Sequence, residues 1–201
     1  MAYTRTSIIS LAVQQLGHKP IINLDNADDM VIAADQAFDV LLPSILATGN
    51  WRFSMRIDQL TLSTEVPPPQ TNFNQIYLLP PGYLKNIRII PQNYVYEIYS
   101  NNQIWCNWGV QSPVFMEYAF LPPINQLPPW FVHYFIMEIA EFICLPSAQK
   151  PDFMNSLAEK KRRQWAIAAA ADAQNRPQFV DWEIPMLTKR NITGIIGPQI
   201  G

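Results

Sequence analysis

Charged residues are scarce in this chain: Asp, Glu, Lys and Arg make up 15% of 201 residues, against about 25% in ordinary soluble domains. The formal net charge is −2, so no global basic field marks a nucleic-acid binder. Two cysteines, Cys106 and Cys144, are too few for a disulfide framework and lack metal-site spacing, which leaves buried thiols. Seven glycines leave nothing beyond ordinary turns, and no P-loop, dinucleotide fingerprint or G-x-S-x-G elbow occurs. Two histidines, His18 and His133, do not assemble a catalytic constellation. His133 and Glu138 fall on different helix faces, and His133 reads as a core or interface residue. Glu138 and Glu141 share a face and read as exposed or partner-facing acids rather than a catalytic pair. No catalytic or metal-binding residue is assigned, and no cofactor is implied. The longest apolar stretch, Trp130 to Cys144, is interrupted by His133, Glu138 and Glu141 and is too short to span a bilayer. The start, MAYTRTSII, has no apolar core of the kind a secretory leader carries. The expectation is an intracellular or particle-assembled soluble protein with no membrane partner.

What the chain has in quantity is apolar and aromatic surface: 49% hydrophobic residues and 12% aromatics. A monomer of this size normally needs more charge to stay dispersed. Part of the exterior is therefore expected to be covered by other chains, the plainer alternative being a monomer with an Asn/Gln/Ser surface.

The stretch from Leu16 to Phe53 organises the rest. Gly17 suits the left-handed close of a preceding helix, which spans Thr4 to Leu16 with Ile8, Leu11/Ala12 and Gln15/Leu16 inward. Asn26 is placed to cap the next helix, with Asp28 and Asp29 at its positive dipole end. Met30, Ala34, Ala37/Phe38, Leu41 and Ile45 form its apolar stripe, and Asp35, Gln36 and Asp39 face away. Gly49 ends the run, and Pro43 inside it predicts a kink. From Met55 the period changes to two. MRIDQLTLS, LKNIRII, YVYEIYS, QIWCN and PVFMEYAF predict short strands, with turns at 77–84 and at Ser100-Asn101-Asn102 and a stiff loop around Pro67, Pro68 and Pro69. Helix resumes near Pro129 and is apolar nearly all round, as expected of the most buried helix. A fourth helix begins near Asp152, with Phe153, Leu157, Lys161/Gln164, Trp165 and Ala168 inward and a Glu159–Arg163 pair outside.

The predicted fold class is α+β: a four-helix bundle with a small antiparallel β insert between the helix pairs and an extended C-terminal arm. The bundle comprises residues 1–54 and 128–175, the β insert with its proline-rich loops 55–127, and the arm 176–201. The arm lacks helical period yet carries Phe179, Trp182, Ile184, Met186, Leu187, Ile195 and Ile196. A merely disordered tail would be polar, so this one reads as an arm that docks. AIAAAADA in the fourth helix has small side chains that admit another helix closely. The one basic run, Lys160, Lys161, Arg162 and Arg163, is the candidate for phosphate contact. Its charges fan around the helix, which favours a solvated face over a DNA-gripping one.

An ordered set of motifs resembles a known family: Leu16-Gly17-x-x-Pro20, Leu24-Asp25, Asn26-Ala27-Asp28, then Gly49-x-Trp51-x-Phe53, Tyr77-Leu-Leu-Pro80 with LKNIRI, and PPWFVHYF opening the late helix. From Thr4 to about Asn175 the chain looks like the head-to-tail adaptors of short-tailed bacteriophages, also called tail tubular protein A. The resemblance implies a non-enzymatic virion protein, synthesised in the host cytoplasm and assembled as a ring, typically of twelve copies, between the portal protein and a tail nozzle or tube protein. Genomic DNA would pass through the hole during ejection. On this reading the arm binds the portal, Trp130, Trp165, Ala168 and Ala169 belong to the ring interface, and the Pro67–Pro69 loop faces the tail. Pro43, the triple proline and the longer apolar arm depart from the family pattern. The rival readings are a head-completion or tail-terminator protein of a long-tailed phage, and a small DNA-binding regulator using the Lys160–Arg163 helix.

Overall fold

A computed structural model of the chain describes residues 3–24, 28–90, 95–99, 102–107, 113–144 and 151–174. The expected arm, 176–201, lies outside the described residues, as do Asn26, Ser100 and Asn101. Among the described residues the class is α+β, with four α-helices and two small antiparallel sheets.

The first helix, α1 (Arg5–Gln14), starts where Thr4 and Ser7 cap each other reciprocally: the Ser7 N–H donates to Thr4 Oγ1 at 3.2 Å and the Thr4 N–H to Ser7 Oγ at 2.9 Å. It closes through Gly17 at φ +85, a conformation that favours glycine. Ser10 is buried because its hydroxyl accepts the Ile21 N–H at 2.9 Å, which folds the following loop back on the helix. In α2 (Asp29–Gly49) the cap is Asp28, whose carboxylate accepts from the Val31 N–H at 3.0 Å. The capping residue is thus two positions later than Asn26, at the residue immediately preceding the first helical turn. The helix runs through Pro43. Its buried row is Val31, Ala34, Ala37, Phe38, Leu42 and Leu46, while Met30, Leu41 and Ile45 pack at the edge of the core. Arg5 ties the two helices together, donating to Asp35 at 2.6 Å and gripping Asp39 with two nitrogens at 2.6 and 2.8 Å. By length and hydropathy α2 would suffice to cross a bilayer, but here its apolar row faces α1 and α3.

After α2, Asn50 turns left-handed at φ 48 and a 3₁₀ turn, Arg52–Ser54, leads into the β region. Strands β1 (Met55–Gln59), β7 (Phe115–Phe120) and β4 (Tyr83–Ile90) form one sheet in that order. The strands β2 (Thr61–Leu62), β3 (Gln75–Leu78), β6 (Gln103–Cys106) and β5 (Tyr96–Tyr99) form the other. Strand β3 replaces part of the turn expected over 77–84: Ile76 and Tyr77 are buried and the ladder to β6 runs from Gln75↔Cys106 to Leu78↔Gln103. Only Pro80 to Gly82 make the turn, with Gly82 at φ +73. Side chains from both sheets, among them Tyr77, Ile89, Ile104, Cys106, Met116 and Tyr118, share a small second core. Both cysteines are free and buried.

The chain then returns to α3 (Pro129–Cys144) and α4 (Pro151–Gln174). Ten residues of α3 are buried, including Phe131, Phe135 and Ile139 with no exposed surface. His133 is instead exposed, its Nε2 3.3 Å from the Tyr3 hydroxyl. The carboxylates of Glu138 and Glu141, expected to face solvent or a partner, turn toward Lys161 of α4 (3.6 Å to Glu138, and a direct hydrogen bond to Glu141). The Tyr134 hydroxyl donates to Glu138 at 2.6 Å. Placing two acids at the margin of an apolar helix requires such a counter-ion.

A second buried junction links helices to strands. Asp172 of α4, 4% exposed, accepts the Arg52 N–H with both oxygens at 2.9 and 3.1 Å. Glu117 of β7 receives Arg88 at 2.5 Å and lies 3.6 Å from the Arg52 guanidinium. The short 3₁₀ turn is thereby fixed to both α4 and the first sheet.

Candidate assembly surface

The inner row of α4 is set by side chains that meet α3. Leu157 and Ala168 are buried, Lys161 takes the two α3 acids, and Asp172 holds the Arg52 backbone. These positions recur at helical spacing and fix which side of the helix faces outward. Ala168, expected at the ring interface, has no exposed surface; its small side chain lets the bulky α3 approach. Trp165, expected inward, is instead 51% exposed.

The outward side of the last three turns is apolar. From Gln164 to Gln174 the sequence QWAIAAAADAQ carries one charge, Asp172, and that one is turned in. Trp165 and Ile167 (55%) are exposed together with Ala166, Ala170 and Ala173. Alanine's high helix propensity keeps such a segment helical without burying it. The charges of α4 lie at its middle: Arg162 pairs with Glu159 at 2.9 Å and Arg163 with the same carboxylate at 3.1 Å. Of the basic run, then, Lys161, Arg162 and Arg163 each have a carboxylate partner within the chain, and Lys160 points to solvent. The Glu159 carboxyl is held below its usual range by the Arg163 hydrogen bond and the Arg162 charge.

Beside this face lies a cavity of about 420 Å³. The C-terminal end of α2 supplies Ile45, Thr48 and Gly49, and α4 supplies Trp165, Ala169 and Asp172; Trp51 and Tyr134 complete the wall. Gly49 is required there, since a Cβ would strike the Trp51 indole. The indole N–H donates to the Ile45 carbonyl at 3.2 Å, which folds the ring back over the helix end. Trp130 is half-buried against this group, its ring 5.4 Å from Phe53 and 6.0 Å from Trp51. Part of its surface is therefore packed within the chain.

Elsewhere, Ile32 and Val40 stand exposed at 46% and 63% on one outer row of α2, with Gln36 between them. In the triple-proline loop Pro67 is buried, and Pro68 and Pro69 are exposed beside Val66. The arm residues Phe179, Trp182, Ile184, Met186, Leu187, Ile195 and Ile196 lie outside the described residues. Among the described residues no group of three metal-ligating side chains converges. The sequence reading found Trp165 and Ala169 but missed Trp51, Tyr134 and Asp172, which the fold brings to the same cavity. The signal for Asp172 was available: a lone acid in an eleven-residue apolar run is either a mistake or buried with a purpose. Compared with known proteins, the chain matches no family model and no curated sequence.

Proposed function

We propose that this chain is a virion structural protein, the head-to-tail adaptor of a short-tailed phage, closing with copies of itself into a ring between portal and tail. The observation that carries the reading is the apolar outward face of α4 from Trp165 to Ala173, large side chains included, in a chain otherwise so short of charge. A closed rotational ring needs two different complementary patches on each subunit. The α4 face supplies one, and the Ile32–Gln36–Val40 row of α2 supports a second. On this reading the helices form a bundle that makes the ring wall. The strand region, with Pro68 and Pro69, presents the tail-facing surface to a nozzle or tube protein. The arm, anchored by Phe179, Trp182, Ile184 and Leu187, binds the portal. A mildly acidic subunit suits a pore that DNA must traverse, because each fixed basic contact to phosphate would add salt-dependent drag.

The deciding experiment is imaging of intact particles. A ring of this chain seated between two other rings is the expected result, and a chain found solitary within the particle refutes the proposal. Deleting 176–201 is expected to leave a folded protein that no longer joins the portal; unchanged joining would remove the arm from the account.

A further inference from the structure

The cavity between the end of α2 and α4 has a composition that an assembly face does not require. Trp51, Tyr134 and Trp165 line it together with Asp172, a carboxylate that is 4% exposed. The only hydrogen-bond donor to that carboxylate among the described residues is the Arg52 N–H, and no lysine or arginine among them pairs with it. The nearby Arg52 guanidinium is directed to Glu117 instead. A carboxylate has about four lone-pair sites, so one backbone donor leaves most of its capacity unused and leaves it with no side-chain counter-ion among the described residues. Burying such a charge is costly unless a counter-ion joins it.

We propose that this cavity binds an organic cation, a guanidinium or alkylammonium group, with Asp172 as its counter-ion and the three aromatic residues as its walls. An anion would meet the Asp172 charge at close range, and a purely apolar guest would leave it uncompensated. A cation takes favourable contact from both wall and floor, since the negative faces of Trp and Tyr rings attract positive charge most strongly where water is displaced. The Thr48 hydroxyl adds an acceptor at the rim, its proton being directed to the Ser44 carbonyl at 2.9 Å. The inference does not rest on the ring reading. A free small cation and a cationic side chain of a neighbouring copy would use the same chemistry, and Trp165 on the outward face is where either would enter.

The test uses the full chain and N-acetylargininamide as probe, with the indole N–H signals of Trp51 and Trp165 followed by NMR. Saturable shifts at those two signals are expected, and sodium chloride at equal ionic strength is expected to leave them in place. Asp172→Asn keeps an oxygen for the Arg52 N–H but removes the charge, and is expected to weaken binding about tenfold or more, the loss of one charge-assisted contact. Should that variant misfold, Ala169→Leu fills the cavity while leaving the carboxylate alone, and is expected to abolish the shifts. A probe that fails to bind while Asp172→Asn or Ala169→Leu weakens self-association in sedimentation assigns the cation to a neighbouring copy. Shifts that persist unchanged in the variants, or neither probe binding nor any effect on association, overturn the proposal.

Discussion

Helices α3 and α4 are joined in sequence and packed on each other, yet their apolar residues go to opposite places. In α3 the Phe, Ile and Tyr side chains other than Phe142 point into the core, and its two acids, Glu138 and Glu141, are held by a cation from next door. In α4 the inner row is thin, a leucine, an alanine, a lysine and an aspartate, and its large apolar groups Trp165 and Ile167 face out. The lesson is that hydrophobic content alone does not locate a core. Ten residues of α3 are buried by contacts within the chain, Phe142 at 48% exposure being the exception. Trp165 and Ile167 of α4 are not, and that surplus is the physical basis for assigning this face to a partner.

The comparison breaks most visibly in α3. Phe135 has no exposed surface and packs 5.1 Å from the Phe38 ring. Phe135→Ala is expected to cost about 3–5 kcal/mol, the range for a large aromatic removed from a core that cannot fully collapse. Chemical denaturation of the purified chain measures it, and a loss under about 1 kcal/mol would show that α3 is not the keystone described here. Next in size is the seam between the helices. Lys161→Met removes the cation that, among the described residues, Glu138 and Glu141 share, and a loss of about 1–3 kcal/mol is expected, tempered because the three side chains keep some solvent. Adding Glu141→Gln should recover part of it, so the double variant should be more stable than the sum of the two single losses.

Much of this arrangement was legible in the residues. The 3.6 period and the capping chemistry place all four helices to within a few positions, the Glu159–Arg163 pair follows from spacing, and the burial of the cysteines follows from their apolar neighbours. Three features were not. Strand β3 was read as turn because Pro80-Pro81-Gly82 dominates its neighbourhood, while its partner β6 is remote in sequence and announces nothing locally. The 3.6 period puts both Trp165 and Ala168 on the inner stripe; Ala168 is there, with no exposed surface, while the indole three residues before it is half exposed. The cavity residues Trp51, Tyr134 and Asp172 come from three elements, and only the folded chain brings them together.

A smaller effect is read by pH, in the strand core as well as at the helix seam. The Tyr118 hydroxyl is pushed up to about 12, by burial first and then by its bond to Asp58. Burial, with help from Glu138, raises that of Tyr134 further. Lys161 is also raised: burial opposes its charge, but the hydrogen bond to Glu141 and the charges of Glu138 and Glu141 outweigh it. All three groups hold their protons more tightly folded than unfolded, so their contribution is complete below about pH 10, the unfolded tyrosine value. It is lost as pH rises through the folded values, by at most about 1.4 kcal/mol per group per pH unit. Stability should therefore fall steadily from pH 10 to 12, and less steeply in Tyr118→Phe. Equal slopes in the two proteins would remove Tyr118 from the account.

The smallest effect on the fold is the sharpest test of the contrast between the two helices. Ala170 stands exposed on the outward side of α4. Lysine is nearly as good a helix former as alanine, so Ala170→Lys is expected to change unfolding free energy by no more than about 0.5 kcal/mol. A substitution of equal chemistry at Ala140, which is fully buried in α3, would instead strand a charge in the core. If the α4 face is a subunit interface, Ala170→Lys places an unpaired charge in the middle of it, and sedimentation over a range of protein concentrations should show association lost while the denaturation curve stays put. Association that survives the substitution would mean that the exposed indole and alanines of α4 contact nothing of their own kind, and the surplus of apolar surface there would need a different partner.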